Sequence, residues 1–374
     1  MFPSSTRQFA ENLLKKGDIR INGSRSWDMQ IHDERMFSRA VHYGSLGLGE
    51  AYMAGWWDAK ELDQFFFHLL QAGLEEEIRM SPKLLVSLLA NVIGNPQRHS
   101  RAFTIGKRHY DIGNEVYQTM LDRRLTYTCG YWPNASTLDE AQEAKLELVC
   151  RKLQLKSGMH VLDIGCGWGS FAKFAAQQYG VSVVGITVSK EQVALGQQLC
   201  SGLPIEIRLE DYRDIGGTYD RIVSLGMFEH VGYKNYRTFM QKVRGLLARD
   251  GLFLLHTIGR NHSGVTSDPW IETYIFPRSI LPSIKQVGAA IEDIFVMEDW
   301  HNFGADYDKT LMAWFANFQA GWPKLKGKYD ERFYRMWKYY LLSCAGSFRV
   351  RRIQLWQVVL SPRGVVDGYT SIRE

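Results

Sequence analysis

One stretch constrains this chain more than any other: His160-Val161-Leu162-Asp163-Ile164-Gly165-Cys166-Gly167-Trp168-Gly169-Ser170. An apolar run enters a glycine-rich turn, and Phe171-Ala172-Lys173-Phe174-Ala175-Ala176 then opens a helical pattern. A strand, a tight loop and a helix N-terminus present backbone N–H groups to a ligand, and glycines let that ligand lie against the main chain. The spacing is Gly-x-Gly-x-Gly, not the Gly-x-Gly-x-x-Gly of dinucleotide folds. It points to an adenosyl-methionine site rather than a nicotinamide one. A buried turn without a ligand is the plainer alternative.

From residue 160 onward the pattern alternates regularly between strand and helix. Strands are expected at Val181–Val188, Ile205–Leu209, Tyr219–Leu225, Gly251–Ile258, Phe295–Asn302 and Arg352–Leu360, with helices from Ser189, at Asn235–Ala248, at Tyr307–Ala320 and at Glu331–Ser347. With the first strand this makes a seven-stranded, doubly wound, Rossmann-like α/β sheet, whose ligands sit at the carboxyl ends of its strands. Those ends carry Gly165, Thr187, Asp211, Glu229 and His256. The second strand ends in Thr187, with no acid to hold the ribose hydroxyls of a nicotinamide dinucleotide. Asp211 suits an adenine amine or a ribose hydroxyl. Glu229 and His230 are adjacent at a strand end and should point apart, so Glu229 is expected to face the site. His256 stands alone in an apolar strand, as a core histidine or as a site residue.

Residues 1–95 lack that rhythm and read as a small, mainly helical domain, leaving 96–374 for the catalytic one. Helices are expected at Thr6–Lys16, Asp63–Ala72 and Ser81–Val92, with a short strand and turn at Asp18–Gly23 and a polar linker at 95–101. Gly44-Ser45-Leu46-Gly47-Leu48-Gly49-Glu50 runs on to Gly55-Trp56-Trp57, an unusual composition for a loop. No apolar run approaches the roughly 20 residues of a membrane span, and no signal-peptide core is visible, so a cytoplasmic protein is expected. The five cysteines are dispersed with no Cys-x-x-Cys pair, which argues against a disulfide framework and a zinc site. The net charge of +5 with 13% aromatic residues suits anionic lipid headgroups as well as many ordinary enzymes. No nucleic-acid partner is expected.

Before the glycine loop, 101–122 mixes basic and aromatic residues, and Tyr127-Thr128-Cys129-Gly130-Tyr131-Trp132 clusters rings around one cysteine. Such rings suit a cationic ligand. Leu138–Leu153 is then an amphipathic helix leading into the strand.

Together these stretches resemble the cyclopropane-fatty-acyl-phospholipid synthases and, more distantly, the mycolic acid cyclopropane synthases. The resemblance runs nearly end to end. It rests on Gly44–Glu50, Gly55-Trp56-Trp57, His109-Tyr110-Asp111, Leu162–Gly169, Met227-Phe228-Glu229-His230-Val231-Gly232, His256-Thr257-Ile258-Gly259, Asp299-Trp300-His301-Asn302-Phe303-Gly304 and Gln354-Leu355-Trp356-Gln357. It implies that the catalytic domain is an S-adenosylmethionine-dependent methyltransferase. A cis double bond of an unsaturated phospholipid chain would take the sulfonium methyl, and bound bicarbonate would then remove a proton so that the ring closes. The resemblance implies a bicarbonate cradle at Cys129, Glu229, His256, Ile258 and Tyr307, with Tyr131, Trp132 and Phe228 facing the cation. It also marks Cys344, although its helical setting favours packing.

For the cofactor, the resemblance implies Tyr127, Thr128, Leu162, Asp163, Gly165, Cys166, Gly167, Gly169, Ser170, Thr187, Gln192, Asp211 and Tyr212. Thr128 stands where the family usually has Ser, and Gly130 where it often has Ala. A homodimer and peripheral association with the inner face of a phospholipid bilayer are further implications. Two rivals remain at this point: a methyltransferase that stops before ring closure or uses a small amine, and a lipid-binding protein with an inert cofactor site.

Overall fold

The computed structural model describes residues 3–73 and 112–373. The expected helix at 81–92, the linker at 95–101, the 95/96 boundary and His109-Tyr110-Asp111 lie outside the described residues.

The seven strands form one sheet. After a two-stranded ladder of β1 (Gln30–Ile31) and β2 (Trp57–Asp58), they are β3 (His160–Ile164), β4 (Ser182–Thr187), β5 (Ile205–Leu209), β6 (Tyr219–Leu225), β7 (Leu247–Arg260), β8 (Val296–Asn302) and β9 (Ile353–Ser361). Their order is β5-β4-β3-β6-β7-β9-β8. The first five run parallel, and β9 inserts antiparallel between β7 and β8. The order reverses between β3 and β6, the crevice where such sheets bind ligands.

Strand residues alternate between two cores. Leu162, Ile164, Ile222, Phe253 and Leu255 pack on one face with Phe239, Met240 and Val243 of helix Tyr236–Leu246. Val161, Val223, Leu252 and Leu254 pack on the other with Leu146, Val149 and Leu153 around helix Leu138–Lys152, and with Phe171 and Ala175 of helix Ser170–Tyr179. Both faces are covered, so the central strands are apolar almost throughout rather than alternating in polarity. The same alternation sends Asp163, His256 and Gln357 to the face of helix Leu138–Lys152, because each lies two residues from a core member of that face.

The chain divides into two compact units, each assembled from separate segments. One comprises the described residues of Met1–Gly94 with Val265–Pro277 and Tyr307–Arg352; the other comprises the described residues of Asn95–Gly264 with Arg278–Asp306 and Ile353–Glu374. A single cut near residue 95 therefore does not separate them. Aromatic packing is the reason. In the first unit Tyr339, on helix Glu331–Arg349, lies 5.4 Å from Tyr52, 5.1 Å from Phe66 and 4.4 Å from Trp270 between ring centroids. Arg349 of the same helix pairs with Asp63 at 2.7 Å and Asp308 at 2.9 Å.

Three local expectations change. Asp18–Gly23 supplies only an isolated bridge, Ile21 to Met29. The Gly44–Glu50 stretch is part of helix Arg35–Met53, broken at Gly44 (φ 57°, ψ −134°). Its Gly49 has no room for a side chain: a Cβ there would stand 2.3 Å from Cδ1 of Trp270. Glu229 and His230 lie in a 3-10 turn, Phe228–His230, past the end of β6.

Candidate active site

The glycine turn is built for close approach. Gly165 and Gly169 both have φ 84°, where only glycine is unstrained, and a Cβ on Gly165 would meet Cβ of Met227 at 2.7 Å. Gly165 and Cys166 anchor the turn by donating from their N–H groups to the Ile186 carbonyl, at 2.9 and 3.1 Å. A Cβ on Gly167 would project into space free of protein atoms within 4 Å. Ser170 opens the following helix, whose first N–H groups point into the same turn. Leu162 and Cys166 are buried, and burial drives the Cys166 thiol well above its usual range, so it stays protonated.

Around the turn the expected cofactor residues are held by their neighbours. Thr187 donates from Oγ1 to Oε1 of Gln192 at 2.6 Å, and Ser189 caps the next helix by accepting from the Gln192 N–H. Asp211 accepts from Nε and the backbone N–H of Arg213 at 2.7 and 3.0 Å, so Arg213 presets its orientation. Tyr212 lies edge-to-face on Phe239. Tyr127 packs on Tyr117 at 5.1 Å, and Tyr117 on Trp168 of the turn at 5.1 Å.

Helix Leu138–Lys152 supplies what sequence reading missed. Gln142 donates from Nε2 to the Thr128 carbonyl at 2.7 Å, and Lys145 donates from Nζ to Oγ1 of Thr128 at 2.8 Å. Thr128 therefore keeps a use for its hydroxyl. Lys145 is fully buried, and loss of solvation lowers its ammonium to about 8 against the pull of Asp122. Burial raises Asp163 to about 7, opposed by Lys145, and leaves its Oδ2 without a hydrogen-bond partner. Seven residues further along the helix comes Lys152, also fully buried and lowered to about 7 by desolvation against the pull of Asp299. A lysine seven positions from another on an amphipathic helix shares its face, which was the available signal.

The second group assembles just past the end of β6, whose last residue, Leu225, pairs with His256. His256 itself lies inside β7, which runs on to Arg260, rather than at the strand end expected. Glu229 accepts the Ile258 N–H at Oε1, 2.7 Å away, while its Oε2 is buried without a partner. Desolvation raises its carboxyl to about 7, opposed chiefly by that hydrogen bond. His256 is 1% exposed, its Nδ1 lies 3.3 Å from Nε2 of Gln357, and its Nε2 is buried without a partner. Burial pushes its pKa well below the usual histidine range, so it is neutral. Burial likewise lowers the neighbouring His230, to about 4. Cys129 is fully buried, with Sγ 3.1 Å from the Gly130 carbonyl.

Of the rings expected to face a cation, Phe228 is excluded. It stacks on Tyr236 at 4.3 Å inside the core, with no exposed surface. Phe303 lies 5.9 Å from His256 and 5.2 Å from Tyr131 between ring centroids. Trp132 is partly buried, its N–H bonded to Asp306. Tyr307 and Cys344 belong to the other unit. There Tyr307 stacks on Phe348 at 4.5 Å, and burial pushes the Cys344 thiol up to about 12, where it is no nucleophile.

The unpaired Oδ2 of Asp163 and the cradle over Gly167 fit a bulky, partly cationic nucleoside. The unpaired Oε2 of Glu229 and Nε2 of His256 fit a small group that both donates and accepts.

The model of the family described as mycolic acid cyclopropane synthetase matches residues 97–358. The cyclopropane-fatty-acyl-phospholipid synthase of Escherichia coli (strain K12) is 52% identical over 361 residues, covering 96% of this chain and 94% of its own. Among solved structures, the cyclopropane synthase MmaA2 from Mycobacterium tuberculosis superposes with a TM-score of 0.66 at 32% identity, over 71% of this chain and 99% of its own. Mycolic acid cyclopropane synthase CmaA1, complexed with SAH and CTAB, gives 0.64 at 35% identity, over 69% and 97%.

Proposed function

The chain belongs to the mycolic acid cyclopropane synthetase family, and on that premise we propose that it builds cyclopropane rings on unsaturated phospholipid acyl chains. The single observation that carries this reading is the pair of unpartnered buried groups, Glu229 Oε2 just past β6 and His256 Nε2 on β7. Ring closure needs a base held where it can take a proton, and this pair can hold one.

S-adenosylmethionine, when bound, supplies an electrophilic sulfonium methyl. Tyr127, Thr128, Leu162, Asp163, Gly165, Cys166, Gly167, Gly169, Ser170, Thr187, Gln192, Asp211 and Tyr212 would hold it. Bicarbonate, when bound, supplies an expendable base. Glu229 would accept a hydrogen bond from its hydroxyl, with His256 and the Ile258 and Cys129 main chain fixing its other oxygens. A side-chain carboxylate in that position would itself risk alkylation, whereas a carboxylate that only orients an anion survives each turnover. Tyr131 and Phe303 would offer ring faces to positive charge developing on the acyl chain. Peripheral contact with a bilayer and a homodimeric state complete the proposal. Net charge of +5 supports the first, and family resemblance the second.

The test is mass spectrometry of unsaturated phospholipids incubated with the protein and S-adenosylmethionine. A gain of one CH2 with loss of the double bond is expected. A gain that leaves a double bond means a methyl-branched product, and no cofactor-dependent gain ends the enzymatic reading.

A further inference from the structure

The buried polar row beside His256 has a direction. His256, Gln357 and His301 face one another across three strands, in register on β7, β9 and β8. Lys152 reaches this row from helix Leu138–Lys152, with Nζ 2.9 Å from Oε1 of Gln357, 3.0 Å from Nδ1 of His301 and 3.7 Å from Oδ2 of Asp299. Asp299 stays ionised, held below the usual carboxylate range by hydrogen bonds from Arg373 and Ser371 against its burial. Two acceptors within hydrogen-bond distance and one ionised carboxylate thus face the ammonium.

An ammonium donates and never accepts, so the Gln357 amide has one consistent orientation. Its oxygen faces Lys152 and its NH2 faces His256. The amide nitrogen also only donates, so Nδ1 of His256 must be the accepting nitrogen. A neutral imidazole with an accepting Nδ1 carries its hydrogen on Nε2.

We propose that Lys152 and Gln357 are positioning residues that lock His256 in its Nε2–H tautomer, so that the nitrogen turned away from Gln357 enters the reaction as a hydrogen-bond donor. Neither residue touches the reacting atoms. They act through His256, as a buried acid does when it fixes the tautomer of a catalytic imidazole. An apolar residue at 357 would let Nδ1–H and Nε2–H forms exchange. A carboxylate there would select Nδ1–H and turn Nε2 into an acceptor.

The inference rests on the reading of His256 as a site residue, but the tautomer is read without reference to turnover. Nitrogen-15 NMR of histidine-labelled protein, recorded at about pH 6 so that the Lys152 ammonium stays charged, reports it directly. The His256 signals are assigned by their loss in His256→Gln. The wild type should show a neutral ring with a protonated Nε2 and a bare Nδ1. Lys152→Arg should keep that pattern, and Gln357→Glu should move His256 toward Nδ1–H. Gln357→Glu should also lower kcat by at least about tenfold, the scale of a wrong tautomer being larger still, with affinity for S-adenosylhomocysteine within about twofold. A wild-type His256 carrying its proton on Nδ1 overturns the proposal, whether or not any variant folds. So does a Gln357→Glu enzyme with unchanged kcat.

Discussion

Glu229 shows what burial does to one carboxyl. Desolvation raises it from 4.5 to about 7, and only one of its oxygens is compensated. If the ionised form orients the base, the acid limb of the kcat profile falls near pH 7. Glu229→Gln should retain affinity for S-adenosylmethionine, lose ring closure by about a hundredfold or more, and show no such limb. Its effect on stability has the opposite sign. A group whose folded pKa is raised favours the folded state fully below the unfolded value and loses that contribution as pH rises through the folded value. Ionised and buried, Glu229 costs on the order of 3 kcal/mol above pH 7, since each tenfold change in proton affinity corresponds to about 1.4 kcal/mol. Denaturant titrations should therefore find Glu229→Gln gaining on the wild type as pH rises from 4.5 to about 7, with the gap level above that. A gap that stays constant across the rise refutes the buried-acid account.

Helix Leu138–Lys152 is the element that makes the site a unit. Thr137 caps it by accepting the Glu140 N–H, and Glu140 returns the contact to the Thr137 N–H, a capping box. Thr137→Ala should cost about 1 kcal/mol in denaturant unfolding and leave kcat per folded molecule unchanged. An intact stability curve would mean that the helix is held by its buried face alone. The helix was legible in the sequence from its apolar period, as were all seven strands and the glycine turn. Lys145, Lys152 and Gln142 were not, because a lysine on an amphipathic helix reads as solvent-facing; the shared face of the two lysines was the one local signal, and it does not show that Asp122, Asp299 and Gln357 arrive from elsewhere in the chain to meet them. Phe228 misled for the converse reason. Its place beside Glu229 is a matter of sequence, whereas a 3-10 turn aims its ring into the core. The strand ends named Glu229 and His256, since parallel register puts carboxyl ends together, and the family resemblance added Ile258. Phe303 came to His256 only through the antiparallel insertion of β9.

The whole molecule carries its surface chemistry in aggregate. No helix among the described residues is long and apolar enough to cross a membrane. The excess of five basic charges should bring the protein to anionic phospholipid vesicles in sedimentation assays and release it as salt rises from about 0.05 to 0.5 M, because the Debye length shrinks severalfold over that range. Binding indifferent to salt, or absent on anionic vesicles, would remove the electrostatic contact.

The insertion of β9 also has a consequence in time. Among the described residues β8 has no neighbour in the sheet except β9, and β9 follows both long helices, Ala305–Leu325 and Glu331–Arg349, in the chain. Until it arrives, β7 presents a bare edge of unpaired amides and carbonyls, and β8 stands alone. Joining them demands contacts as distant in sequence as His256 and Gln357, 101 positions apart, and closures of that span are slow and aggregation-prone. The step that seals the sheet is also the step that sets Gln357 beside His256. Covering the β7 edge and completing the polar row beside His256 are therefore one and the same event.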